Sequence, residues 1–138
     1  EVYTQFCESG EIKLFPEAID LVKKLASNHK LAIASGSWAT DIQHILRNAG
    51  ALDMVPVILG KESAKREKPF PDIFLNAAKK LGCLPAECFV LEDALKGLNA
   101  ANEAGMPCII LQNELNRNID FKNAEMVFPS LADFVSAL

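Results

Sequence analysis

The sequence predicts an α/β fold, doubly wound around a parallel sheet, and three observations carry that expectation. Short β-branched or apolar runs alternate along the chain with segments of helical period. The runs are apolar throughout rather than alternately polar, the pattern of strands covered on both faces. The segments between them are long enough for the crossover helices that parallel neighbours require.

Taken in order, Ala18, Leu21, Val22 and Leu25 recur at helical spacing and precede a first strand from Leu31 to Ser35. Ile42, Ile45, Leu46 and Ala49 mark the next helix, followed by a strand from Val55 to Leu59. Phe74, Ala77, Ala78 and Leu81 mark a third. Pro71 and Asp72 stand where its first turn tolerates a missing N–H and favours an anion, and Gly82 stands where it ends. A strand from Cys88 to Glu92 leads into a helix presenting Ala94, Gly97, Leu98, Ala101 and Ala104, which Gly105 closes. Strands follow at Cys108 to Leu111 and Met126 to Phe128. A last helix carries Leu131, Phe134, Val135 and Leu138, with Ser130 and Asp133 as an N-cap pair.

The composition narrows the function. With 138 residues, half of them apolar, the chain is of a size to bury a core as one globular domain, without metals or disulfides as staples. No apolar run approaches the roughly 20 residues that span a bilayer, and no signal stretch opens the chain, so a membrane partner and secretion are not expected. Fourteen Lys and Arg against 18 Asp and Glu give a net charge of −4, with no basic cluster interleaved with aromatics, so no nucleic acid partner is expected. Cys7, Cys83, Cys88 and Cys108 include no C-x-x-C pair and are expected as reduced thiols in a cytoplasmic protein.

In a doubly wound sheet ligands bind beyond the carboxyl ends of the strands, so the residues closing each strand are the informative ones. The first run ends Ala34-Ser35-Gly36-Ser37 and leads into a helix beginning near Trp38. A hydroxyl and bare amides at a helix N-terminus suit a phosphate, because they donate to its oxygens without desolvating a counter-charge. On the competing account Ser37 is an ordinary N-cap and Gly36 a turn residue. The third run ends Val90-Leu91-Glu92-Asp93. Adjacent acids repel unless a cation or a hydrogen-bond network relieves them, and hard oxygen ligands in a half-open site suit Mg²⁺. The alternative is a capping Asp beside a solvated Glu. Small residues in the following helix would let its backbone approach the sheet and fix Asp93.

Lys68 ends the polar stretch 61–68, directly before Pro69-Phe70-Pro71-Asp72. The prolines hold the backbone extended at Lys68 and then launch a helix. A rigidly placed ammonium there can neutralise a phosphate or an acidic cluster. Lys61 and Lys65 are expected as solvated charges, His29 and His44 at the surface, and Trp38 as a packing anchor rather than the roof of a substrate.

The motifs Leu31-Ala32-Ile33-Ala34-Ser35-Gly36-Ser37, Lys68-Pro69-Phe70-Pro71-Asp72-Ile73-Phe74 and Phe89-Val90-Leu91-Glu92-Asp93, with Gly97 and Ala104-Gly105-Met106, together resemble the haloacid dehalogenase superfamily. Within it the resemblance is to the phosphatase and β-phosphoglucomutase branch, and it runs in order from about Phe15 to the C-terminus. It implies a Rossmann-like core over 15–138, preceded at 1–14 by the return linker or remnant of a helical cap. It implies phosphoryl transfer on a small phosphorylated metabolite with Mg²⁺ as cofactor. Ser35 corresponds to the family's phosphate-binding hydroxyl, aided by the amide of Gly36, and Lys68 to the lysine that steadies phosphate and nucleophile. Glu92 and Asp93 correspond to the acidic pair that holds Mg²⁺, Asp93 directly and Glu92 directly or through water. That pair argues against the metal-independent dehalogenases of the superfamily. Ala94 replaces the small hydroxyl residue that often follows the pair.

In the family the nucleophile is an aspartate of an Asp-x-Asp motif closing the first strand, and it forms an aspartyl-phosphate. No such motif is present: Asp20, Asp41, Asp53, Asp72, Asp93, Asp120 and Asp133 are isolated, and of these Asp93 alone closes an expected strand. The resemblance therefore implies that the first, central strand and most of the cap are missing from this sequence, and that the chain alone is inactive. That strand would lie between those ending at Ser35 and Glu92, so its absence would expose two ladders at a cost of several kcal/mol. A missing N-terminal segment or a second copy of the chain is the expected remedy. The expected function is a Mg²⁺-dependent phosphatase. A phosphomutase of the same family and a non-catalytic phospholigand-binding module are the alternatives, and a generic nucleotide domain ranks last, since no G-x-G-x-x-G or Walker-type loop is present.

Overall fold

The computed structural model describes residues 16–138; the expected linker or cap remnant at 1–14 lies outside them. The elements follow in the order α1 (Pro16–Ala26), β1 (Ala32–Ala34), α2 (Ala39–Asn48), β2 (Val57–Leu59), α3 (Asp72–Leu81), β3 (Val90–Glu92), α4 (Leu95–Ala104), β4 (Cys108–Leu111), β5 (Met126–Phe128) and α5 (Leu131–Ala137). Three strands start later than their apolar runs. Pro56 has no N–H to give a ladder, so β2 begins at Val57. A 3₁₀ turn over Pro85–Glu87 has Cys88 as its C-cap, so β3 begins at Val90; β1 begins at Ala32 rather than Leu31.

All strand pairings are parallel. The strands form two ladders, β1–β2 and β3–β4–β5, and among the described residues no ladder joins β1 to β3. Ala34 stands opposite Leu59 in the first, and Glu92 opposite Ile110 in the second.

The two-stranded ladder is covered on both faces, as its unbroken apolar runs require. Ile33 and Ile58 pack toward Ile42, Leu46, Ala51 and Val55, in α2 and the turn after it. Ala32, Ala34, Val57 and Leu59 turn the other way, into a core built from Ile73, Phe74, Ala77 and Ala78 of α3. This core continues through Leu98 and Ala101 of α4 to Cys108 and Ile110 of β4. Helices α1 and α5 pack together, and Lys24 Nζ donates to the Val135 carbonyl at 3.2 Å.

The helix ends follow their punctuation. Gly82 and Gly105 close α3 and α4 in the left-handed region, at φ 72° and 77°, where a side chain would be strained. Ser130 Oγ accepts from the Asp133 amide at 3.0 Å at the start of α5. No helix among the described residues is long and apolar enough to cross a membrane.

Candidate active site

The carboxyl ends of β1 and β3 carry Ser35 and the pair Glu92 and Asp93, and Lys68 connects them. Its Nζ donates to the Ala34 carbonyl at 3.1 Å and to Glu92 Oε2 at 2.7 Å. The first contact follows from the strand: Ser35 N donates to the Leu59 carbonyl at 2.9 Å, so the alternating backbone turns the Ala34 carbonyl away from β2. The second is a buried ion pair, with the Lys68 and Glu92 side chains 8% and 1% exposed. Burial pulls the Lys68 ammonium below its ordinary value, against the Glu92 carboxylate that holds it up. Burial pushes the Glu92 carboxyl up and the Lys68 ammonium pulls it down, with a balance below its ordinary value.

Glu92 is also fixed by its own strand end and by α4. Its Oε1 accepts from the Asp93 amide at 3.2 Å. A Cβ on Gly97 would collide with the Glu92 carboxylate group, so glycine at this position lets the side chain lie against the helix backbone.

The helix end beside Ser35 is occupied differently from the expectation. Ser35 is fully buried and its Oγ accepts from the Ser37 amide at 3.1 Å. The N-cap of α2 is Trp38, which supplies no side-chain cap, and the Ala39 amide donates instead to Glu62 Oε1 at 2.9 Å. Ser37 is therefore not the cap, and the foremost helix amide is not bare. The positive end of the helix draws a carboxylate from the following connection, which is anchored by Lys61 N donating to the Ser37 carbonyl at 2.8 Å. Gly60 permits this approach, since a Cβ there would lie 2.6 Å from the Ser37 carbonyl oxygen.

Ser35, Gly36, Lys68 and Glu92 line one cavity of about 250 Å³, joined by Lys61, Arg66 and Lys96 among others. Four of the five expected site residues thus share a wall whose cations favour an anion. Asp93 is buried at the same strand end but is not among the side chains lining this cavity. Gly36 is exposed and a Cβ there would meet nothing within 4 Å, so packing does not demand glycine at that position.

One expectation is corrected here: Trp38 is 50% exposed, not a packing anchor. Lys61 is exposed, as expected, and its ammonium lies 4.2 Å from the Trp38 ring centroid. A cation over the ring face accounts for a tryptophan held at the surface. Arg66 sits over Phe70 at 4.4 Å and donates to Asp72 Oδ1 at 2.8 Å. Lys65, His29 and His44 are exposed, as expected.

Glu62 and Asn116 were missed as site-forming residues. Nothing near Glu62 in sequence signals its helix. The spacing Asn113-x-x-Asn116, just beyond a strand end, is the available signal for a turn built from asparagine side chains. Among the described residues no group of three or more His, Cys, Asp or Glu side chains comes together for a metal. Mg²⁺ is commonly held by one or two carboxylates together with waters and phosphate oxygens, and the pair Glu92 and Asp93 fits that donor set.

The sequence profile of the haloacid dehalogenase-like hydrolases matches residues 1–111. The chain belongs to this family. Among haloacid dehalogenase-like relatives, CbbY of Rhodobacter capsulatus is 31% identical over 134 residues, covering 94% of this chain and 59% of its own. The crystal structure of CbbY from Rhodobacter sphaeroides in complex with phosphate superposes with a TM-score of 0.78 at 29% identity, covering 86% of this chain and 55% of that one. β-Phosphoglucomutase from Clostridium difficile gives 0.74 at 32% identity, covering 86% and 51%. These relatives place the chain in the phosphatase and β-phosphoglucomutase branch. The chain spans about half the length of the relatives it matches.

Proposed function

We propose that the protein containing this chain is a Mg²⁺-dependent phosphatase acting on a small phosphorylated metabolite. The observation that carries this is the Lys68 ammonium. It is held between the Ala34 carbonyl and Glu92, on the wall of the cavity that Ser35 also lines. An ammonium fixed by a strand carbonyl and a buried carboxylate needs no reorganisation to face a phosphoryl oxygen, and preorganised charge is the main lever on phosphoryl transfer. The Ser35 hydroxyl and the Gly36 backbone stand beside it to orient the same group. The Glu92 carboxylate sets the position of Lys68 and limits how far its charge can move.

Mg²⁺, held by Asp93 and by Glu92 directly or through water, would offset charge on the phosphoryl oxygens. Asp93 is the one aspartate following the C-terminal end of a described strand, so an aspartyl nucleophile comes from outside the described residues. The isolated chain is accordingly inactive in turnover. The similarity to CbbY, whose crystal structure holds phosphate, supports a phosphate-binding reading of this chain. Cys83, Cys88 and Cys108 are free thiols, which supports a reducing, cytoplasmic setting.

The test is a panel of small phosphomonoesters with the full-length protein, with and without Mg²⁺, beside Lys68→Ala and Asp93→Asn. Phosphate release that needs Mg²⁺ and falls about a hundredfold or more in both variants is expected. Interconversion of phosphate isomers without release would make the protein a mutase. Phosphate binding with no turnover of any ester would make it a binding module.

A further inference from the structure

We infer that Asn116 is a positioning residue for the acidic strand end, fixing the peptide of Asp93 from the loop beyond β4. Asn116 is 3% exposed, unusual for its residue type, and its amide is engaged on both sides. Nδ2 donates to the Asp93 carbonyl at 2.8 Å and to the Leu111 carbonyl at 3.1 Å, and Oδ1 accepts from the Asn113 amide at 2.8 Å. Glu92 and Ile110 are register partners, so Asp93, just past the end of β3, stands beside Leu111, the last residue of β4. One side chain therefore ties together the ends of two neighbouring strands.

Helix α4 starts from Ala94, which supplies no side-chain cap, and its first turn contains no acidic residue. The loop carrying Asn116 is ordered from within: Asn113 Oδ1 accepts from the amides of Leu115 and Asn116 at 2.9 and 3.0 Å. The chemistry explains why the residue is asparagine. Aspartate has no N–H for the two carbonyls, and glutamine is a methylene too long for a closed site.

Without these two bonds the end of β3 can shift against the end of β4, carrying the Asp93 carboxylate with it. A ligand to Mg²⁺ tolerates little displacement, because the ion demands near-octahedral geometry, so partners that orient a ligand typically change metal affinity by about 10–100-fold. This inference rests on the assignment of Asp93 as a metal ligand.

The experiment compares Asn116→Ala, Asn116→Asp and Asp93→Asn in the full-length protein. Mg²⁺ binding is measured by calorimetric titration without substrate, then as the Mg²⁺ dependence of phosphomonoester turnover. In both Asn116 variants the Mg²⁺ dissociation constant is expected to rise about 10–100-fold, with kcat recovering at saturating Mg²⁺. Folded Asn116 variants that melt earlier but bind Mg²⁺ as the parent does would reduce Asn116 to a structural role and overturn the inference. If Asn116→Ala does not fold, the isosteric Asn116→Asp carries the test. Unchanged Mg²⁺ binding in Asp93→Asn would overturn the metal assignment itself, and this inference with it.

Discussion

Lys68 Nζ lies 2.7 Å from Glu92 Oε2, and this contact ties the connection after β2 to the end of β3, between two ladders that share no backbone hydrogen bonds in the described residues. Both side chains are nearly dry. The pair therefore behaves as a unit, and removing one partner differs from removing both.

Lys68→Met keeps the bulk and removes the ammonium, leaving the Glu92 carboxylate buried without this counter-ion. A loss of about 3–5 kcal/mol in urea unfolding is expected, with most of it recovered in Lys68→Met/Glu92→Leu. A single-variant loss below about 1 kcal/mol would mean that the pair is as solvent-screened as a surface bridge.

Acid should weaken the fold through the same carboxyl. The Glu92 group titrates below its unfolded value of 4.5, so the unfolded chain binds the proton more readily. Its contribution is present above pH 4.5 and is lost as pH falls below that value towards the folded one. Urea midpoints measured from pH 6 downward should fall more gently for Lys68→Met/Glu92→Leu than for the parent. Equal slopes would remove Glu92 from the acid response.

Gly97→Ala tests the close approach of α4. The added methyl meets the Glu92 carboxylate group, flanked by a helix backbone that cannot retreat without disturbing Leu98 and Ala101. Overpacking of about 1–3 kcal/mol is expected despite the better helix propensity of alanine, together with loss of phosphate release in the full-length protein. A stabilised, fully active variant would show that Glu92 has room to move.

Cys108 is 1% exposed, and burial, then the Glu92 carboxylate, push its thiol up to about 12. Iodoacetamide at pH 8 should leave Cys108 unmodified in the native protein, label it on unfolding, and label the partly exposed Cys83 and Cys88 first. Peptide mapping by mass spectrometry reads this directly. Early labelling of Cys108 would reveal local opening at β4.

The fold was legible because its signals are local. Helix period, Gly82 and Gly105 at helix ends, and the Ser130 cap act within a few residues of where they appear. The strand ends were legible for the same reason, since Ser35, Glu92 and Asp93 follow directly on their apolar runs. What sequence did not reveal are partnerships across long intervals. The Glu62 carboxylate reaches the Ala39 amide, Lys61 covers Trp38, and Asn116 reaches back to Asp93. Each depends on how a connection folds over a strand end, and no spacing rule encodes that path.

The division of the described strands into two ladders bears on how this 138-residue chain opens when it stands alone, without a further strand between Ser35 and Glu92. Each ladder is closed by its own crossover: Ala32 pairs with Val57 around α2, and Val90 pairs with Cys108 around α4. Between them, α3 packs against β1, β2 and α4, and Lys68 spans the strand ends. Such an arrangement favours two cooperative blocks with different opening free energies. Native-state hydrogen exchange should release the β1–β2 amides and the β3–β4–β5 amides as separate groups, drawn further apart by Lys68→Met. A single common opening free energy for all five strands would show that the helical layer alone welds them into one unit.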